Sequence, residues 1–296
     1  MRLSGVLQSY TIMMSLGLVL GLLSGGFPWY TKEISMASLA LVMTLSLSGI
    51  RLGDARGKDH VTHSLKALAI NYVMLTGLIL GLGLFFSGDY WIGWVLMAAA
   101  PSAISVVPFT TVLGGETSKA LFSTAVNYLA ALALMPLMTL LLLGSSVSTT
   151  SLVYSLLILI VLPMVASRVV MRAKISKPAN TSMMNLGFAL LIFAVTGANR
   201  DAFFAETMLV LTMSLACVVR TFGSGLGTEF ILRWAKVPKS SRVAYVLFAS
   251  YKNLGLTATL AIALFVPEVA IPATICIVFE VVWVMFLIRY YPGVPG

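Results

Sequence analysis

A lysine and a glutamate stand in stretches that otherwise hold almost nothing charged. Lys252 lies in Ser250-Tyr251-Lys252-Asn253-Leu254-Gly255 and Glu280 in Phe279-Glu280-Val281, each in the middle of an apolar run. An ammonium at the centre of a bilayer costs at least about 2.5–3.5 kcal/mol on insertion scales, so something must compensate it. Glu280 is the natural partner, because both residues fall about 18 Å from the ends of their runs at 1.5 Å per helical residue. A Lys252–Glu280 pair would neutralise both charges, and it could carry a proton or simply pin two helices. Asn253 adjoins Lys252, and Asn127 is similarly deep in another run. Ser102, Ser105, Thr110, Thr111 and Thr124 place hydroxyls around and after Pro101 and Pro108. Singly, such polar side chains are more often interhelical glue than ligands; together they are candidates for the lining of a substrate or ion pathway. Arg220, near the end of its run, reads as a side chain that snorkels to the interface.

Other chemistry is poorly represented. His60 and His63 have the spacing of a metal-binding pair, but no further ligands accompany them, so they read as part of a solvated loop. Gly223, Gly225 and Gly227 lack the strand–helix context of a phosphate cradle and read as a loop-like interruption, beyond which the eighth apolar run either ends or continues toward Trp234. Cys217 and Cys276 fall inside apolar runs and read as small core residues. No nucleophile–base set, acidic magnesium motif or metal cluster stands in the runs. The expectation is therefore a non-enzyme with no metal and no cofactor.

The elements that must position these residues are membrane helices. Of 296 residues, 59% are apolar and only 10% are charged, against about 25% charged in a soluble domain. At about 30 residues per span and loop, the length allows about ten spans. The apolar runs place them near 5–25, 33–50, 65–87, 90–113, 117–144, 149–171, 181–199, 203–223, 240–265 and 268–289. Of the 19 Lys and Arg, 15 then fall in the termini and in alternate connections, and only Lys32 and Arg200 fall on the opposite side. Basic residues collect in cytoplasmic loops. The expectation is a multi-pass protein of the cell (inner or plasma) membrane with both termini cytoplasmic. The same rule accounts for the net charge of +9 without a nucleic-acid partner.

Ten spans divide into two sets of five, and an odd number per half forces the second half to insert upside down. The halves would be 1–147 and 148–296. Spans 4 and 9 correspond, and both look broken. In span 4, Pro101 and Pro108 each remove an amide donor. In span 9, Lys252, Asn253 and Gly255 interrupt the run. Bare backbone at membrane depth is tolerated only inside protein or beside a cavity, and paired breaks of this kind point to a binding site. The break centres are expected near Val107 and Lys252.

Over nearly its whole length the chain resembles the bile acid:sodium symporter family, within a wider group that includes arsenite exporters of the same fold. The resemblance is densest over Ala100–Leu143 and Phe248–Phe286. The stretch from Tyr251 to Ala261 resembles the family's span 9 signature, a polar residue and Asn followed by a Leu/Ala-rich helix. Asn127 in Ala125-Val126-Asn127-Tyr128-Leu129 and Glu280 in Phe279-Glu280-Val281 look more like the arsenite branch. The resemblance implies ten helices in inverted repeats, with broken, crossing helices 4 and 9. It also implies two sodium sites that this chain does not reproduce. The family's Glu-x-x-x-Gln-Asn aligns with Phe248, Lys252 and Asn253, its span 4 Ser-Asn pair with Val106-Val107, and among the span 5 hydroxyls only Thr124 remains. The arsenite branch depends on a span 4 cysteine that is missing here.

The expectation from these readings is an all-α transporter that moves a small organic anion by alternating access, surrounded by bilayer lipid. Sodium would not occupy the family's usual sites, and proton coupling or uniport would take its place. The alternatives are an arsenite-type exporter of the same fold and a membrane sensor that does not transport. The sequence assigns no oligomeric state.

Overall fold

A computed structural model describes residues 3–48, 58–144, 148–173 and 175–291. Arg2, Arg51, Arg56 and Lys174, and the expected repeat boundary at 147, lie outside them. The described residues are helical, with one isolated antiparallel bridge between Ser102 and Lys252.

After a short turn of helix at Leu3–Gln8 come α1 (Tyr10–Ser24) and α2 (Thr31–Ser48). The continuous helix α3 covers Lys58–Gly83. α4 (Gly88–Ala99) and α5 (Val106–Val112) are the two parts of one interrupted element. They are followed by α6 (Thr117–Leu143), α7 (Thr149–Arg172) and α8 (Lys177–Ala198). A short helix at Arg200–Ala205 leads to α9 (Thr207–Trp234). α10 (Lys239–Ser250) and α11 (Leu254–Leu264) form a second interrupted element, and α12 (Pro267–Tyr290) ends the described chain. Six of these helices, α3, α6, α7, α8, α9 and α12, are long and apolar enough to cross a membrane.

Three helices contain a π-helical turn: α3 at Ile70–Leu75, α7 at Leu157–Val161 and α9 at Val219–Gly223. α8 packs on α1 and α2, and α7 packs on α2. α1 and α8 approach so closely that a β-carbon at Gly17 would collide with the carbonyl oxygen of Ala189. On the other side of the molecule α3 packs on α6, α9 on α10 and α12, and α4 on α12.

Several basic connections meet at one end. The Glu116 N–H donates to the Ser240 carbonyl at 3.1 Å, and His60 Nε2 contacts Ser118 Oγ at 3.2 Å. α5 therefore ends beside the start of α10, while Gly93 of α4 packs on Val269 at the other end of the bundle.

The structure corrects five readings of the sequence. α3 begins at Lys58, so Asp59, His60 and His63 are helical, and His63 is buried against Tyr245 with ring centroids 4.4 Å apart. The low mean hydropathy of the first turns concealed an amphipathic stripe. α9 runs unbroken through the three glycines, because Gly225 is the flat spot on which Trp283 packs. Pro108 does not break span 4: it is the third residue of α5, where its missing N–H costs no helical hydrogen bond. Gly255 likewise lies inside α11 and fits against Leu191. The breaks themselves are Ala100–Ser105 and Tyr251–Asn253, so the first is centred near Ser102 rather than Val107.

Candidate functional site

The two breaks cross in the interior. The Asn253 N–H donates to the Pro101 carbonyl at 2.7 Å, and the Ala103 N–H donates to the Tyr251 carbonyl at 3.4 Å. Each break thus satisfies amides that its own helix has abandoned, as buried backbone requires. α11 is capped within the crossing, where Asn253 Oδ1 accepts from the Leu256 N–H at 2.9 Å. The Asn253 amide also donates to Tyr128 Oη of α6 at 2.6 Å.

Lys252 is completely buried at this point. Its ammonium donates to Asn71 Oδ1 at 3.0 Å, Thr76 Oγ1 at 3.0 Å and the Ala100 carbonyl at 2.8 Å. It also sits 4.4 Å from the centre of the Tyr72 ring. Three donors meet three oxygens and an aromatic face, so the cation is solvated by protein. The Asn71 amide donates to the Phe248 carbonyl at 3.0 Å, and the Thr76 hydroxyl donates to the Ala98 carbonyl at 2.7 Å. These bonds turn both oxygens toward Lys252.

Glu280 is not its partner. Glu280 Oε1 accepts from Arg220 Nη1 at 2.6 Å, and the same guanidinium nitrogen reaches Thr221 Oγ1 at 3.2 Å. Arg220 does not snorkel: it is fully buried, and its Nε and Nη2 have no partner among the described residues. The pairing follows from geometry. The π turn of α9 faces Arg220 toward α12, while two oxygens of α3 and the Ala100 carbonyl of the first break already complete the shell of Lys252. The Tyr251 hydroxyl donates to the Glu280 carbonyl at 2.8 Å and ties α12 to the crossing.

Lys252 and Glu280 still meet at a small space. A cavity of about 30 Å³ is lined by Tyr10, Ser105, Lys252, Asn253, Gly255 and Glu280 among others, which is room for water but not for a larger ligand. A cleft of about 380 Å³ shares Tyr10, Ser105 and Phe188 with it and is edged by Gln8, Asn180, Thr181 and Asn185. That cleft reaches Thr117, at the end of the molecule where the basic connections meet. A separate cleft of about 620 Å³ holds Lys32, Tyr154 and a row of Ser and Thr hydroxyls, and reaches Phe265 beyond the far end of α11.

Among the sequence candidates, Lys252, Asn253, Glu280, Ser105 and Gly255 come together at the cavity. Ser102 is buried beside Lys252 in the bridge, with its hydroxyl unpartnered among the described residues. Thr110, Thr111 and Thr124 bond carbonyls one turn back in their own helices and do not line the cavity. Asn127 donates to Ser123 of its own helix, and its Oδ1 is buried without a partner among the described residues. Sequence reasoning missed Asn71, Thr76 and Arg220 as members of the site. Asn71 was within reach, as an amide in the middle of a long apolar helix.

Fold and site together define a polytopic α-helical membrane protein, built around two interrupted helices that cross at buried charge. Within that class the chain belongs to the Sodium Bile acid symporter family, whose model matches residues 55–206, just over half of the chain. It is a membrane transporter. The matched segment carries Asn71, Thr76 and Ser102 and ends before α9 to α12, so what is said of Lys252, Arg220 and Glu280 rests on geometry. No curated protein matches the chain.

Proposed function

We propose that the protein moves a small organic anion across the cell membrane by alternating access, with an ammonium of its own in place of a coupling sodium ion. The observation that carries this reading is the charge balance at the crossing. Two fully buried cations, Lys252 and Arg220, face one buried carboxylate, Glu280. A surplus buried charge is costly unless something compensates it. An anion arriving from the adjoining cleft would supply the missing charge.

Sodium wants a shell of oxygens. Around Lys252 that shell exists, but the ammonium fills it, and a second cation there would be repelled across a poorly screened interior. Coupling would then run on protons or be absent. Glu280, one oxygen bound to Arg220 and lining the water-sized cavity, is the carboxylate through which a proton could act.

Ten spans in two inverted halves, 1–147 and 148–296, account for the paired features. The interrupted pairs α4/α5 and α10/α11 correspond in order, as do the π turns of α3 and α9. α1, α2, α7 and α8 would form one body, two helices from each half, rocking against the rest. The basic end would face the cytoplasm, with both termini on that side.

The test is uptake into proteoliposomes of a panel of radiolabelled organic acids, with sodium replaced by potassium or choline at constant pH. Uptake of at least one acid that persists without sodium supports the reading. Uptake that collapses without sodium, or no uptake of any anion, defeats it.

A further inference from the structure

Tyr10 follows directly on a break between two helices. Ser9 has extended backbone, with φ −88° and ψ 107°, and its hydroxyl accepts from the Ile12 N–H at 3.4 Å. The short helix Leu3–Gln8 therefore stops there, and Tyr10 is the first residue of α1. Its ring lies between two others. Phe188 of α8 meets it edge-on with centroids 5.6 Å apart, and Phe109 of α5 meets it edge-on at 5.0 Å. Phe109 in turn lies 5.6 Å from the Tyr251 ring of the second break. A row of four rings thus runs from α8 through α1 and α5 to the crossing.

This row stands where two spaces meet. The water-sized cavity at Lys252 and Glu280 and the cleft of about 380 Å³ have three lining residues in common, Tyr10, Ser105 and Phe188. Ser105 is a small side chain at the end of the first break, and Phe188 is held in the middle of α8. Tyr10 is a large side chain at a helix start, beside backbone that is already non-helical, so it can swing without unwinding a turn. The two spaces also differ in charge. The cleft is lined by amides, hydroxyls and apolar groups but by no charged side chain among the described residues, whereas Lys252 and Glu280 line only the cavity beyond the ring.

We infer that Tyr10 is the residue that admits the anion: its ring closes the cleft from Lys252 and Glu280, and the closure opens where Tyr10 parts from Phe109. The inference rests on the transport reading above, in which α1 and α8 move together against the body that carries α5. The contact of Tyr10 with Phe188 lies within one body and persists, and the contact with Phe109 crosses to the other and breaks. An anion in the cleft is then sorted by size and hydrogen bonding before it meets a cation. Recognition of its charge begins only once the ring has moved.

The experiment is the rate at which a single cysteine behind the ring reacts with an anionic methanethiosulfonate, in nanodiscs that expose both faces. The background carries Cys217→Ala and Cys276→Ala, and the reporter is Ile277→Cys, which lines the cavity but not the cleft. Tyr10→Ala should raise the reporter's rate by about tenfold, the scale of two lost edge-to-face ring contacts. Tyr10→Phe keeps the ring and should leave the rate unchanged. A separate reporter in the cleft, Thr181→Cys, should react at the same rate whichever residue stands at position 10. If Tyr10→Ala gives no monodisperse protein, Phe188→Ala opens the same constriction and should raise the rate likewise. The assay needs no substrate, so its outcome is independent of whether any acid in the uptake panel is carried. An Ile277→Cys rate that Tyr10→Ala and Phe188→Ala leave unchanged, or that rises as much with Tyr10→Phe, overturns the proposal. So does an equal rise at Thr181→Cys, which would mean a general loosening of the fold.

Discussion

Replacing Lys252 by Met removes the ammonium and keeps most of the stem. Two acceptors, Asn71 Oδ1 and the Ala100 carbonyl, then lose their Lys252 donor at 3.0 and 2.8 Å in a fully buried place. Thr76 suffers less, because its hydroxyl still donates to Ala98. A buried acceptor left unsatisfied costs about 1–3 kcal/mol, so the two together cost roughly 2–6 kcal/mol. Relief of the desolvated charge works in the opposite direction, since a methionine stem needs no shell. The oxygens are held toward the cation by bonds of their own and cannot easily turn away, so we expect a net loss of about 2–4 kcal/mol. At a few degrees per kcal/mol this lowers the melting temperature by roughly 4–10 °C. The companion variant Lys252→Ala empties the stem's space and leaves the oxygens in place. Ammonium or sodium ions at high concentration should stabilise that variant and not the unaltered protein, as a thermal unfolding assay in detergent would show. A Met variant as stable as the unaltered protein, together with an Ala variant indifferent to both cations, would refute the idea that Lys252 fills a cation shell.

The Arg220–Glu280 pair should behave as a unit. Glu280→Gln or Arg220→Met alone should each cost about 3–5 kcal/mol, while the double variant should cost clearly less than their sum, as a double-mutant cycle would measure. Gly17→Val should prevent stable packing of α1 on α8, because its side chain meets backbone that cannot yield; the readout is loss of the monodisperse peak in size-exclusion chromatography. A cysteine replacing exposed Arg233 should react with an impermeant maleimide only in inside-out vesicles; labelling from outside intact cells would reverse the proposed orientation.

What the sequence disclosed depended on contrast. Lys252 and Glu280 were conspicuous because a charge in an apolar run is expensive wherever it lies, and both are indeed buried at the crossing. Their partners were not conspicuous. Asn71 and Thr76 are 181 and 176 residues from Lys252 along the chain, and a polar residue in a helix looks the same whether it faces a cation or a neighbouring carbonyl. Arg220 was misjudged for a related reason. Position near the end of an apolar run suggested escape to the interface, but α9 continues to Trp234, so Arg220 lies in mid-helix and turns inward to Glu280 of α12. The break in span 4 was visible as proline, yet only Pro101 lies in it, because the effect of a proline depends on its distance from the helix start.

The π turn in α3 has a consequence that concerns counting rather than chemistry. In a regular α-helix, residues five apart point about 140° away from each other, at 100° per residue. Asn71 and Thr76 are five apart and yet reach the same ammonium nitrogen. They can do so because the turn at Ile70–Leu75 is wound wider, with bonds that span five residues, so that the fifth comes back near the first. The shell around Lys252 is thus encoded partly by how many residues lie between its ligands. A related chain one residue shorter here could keep the asparagine, the threonine and the lysine and still lose the shell. Amino-acid identity at these positions is an incomplete signature of this centre; the spacing from Asn71 to Thr76 has to be read with it.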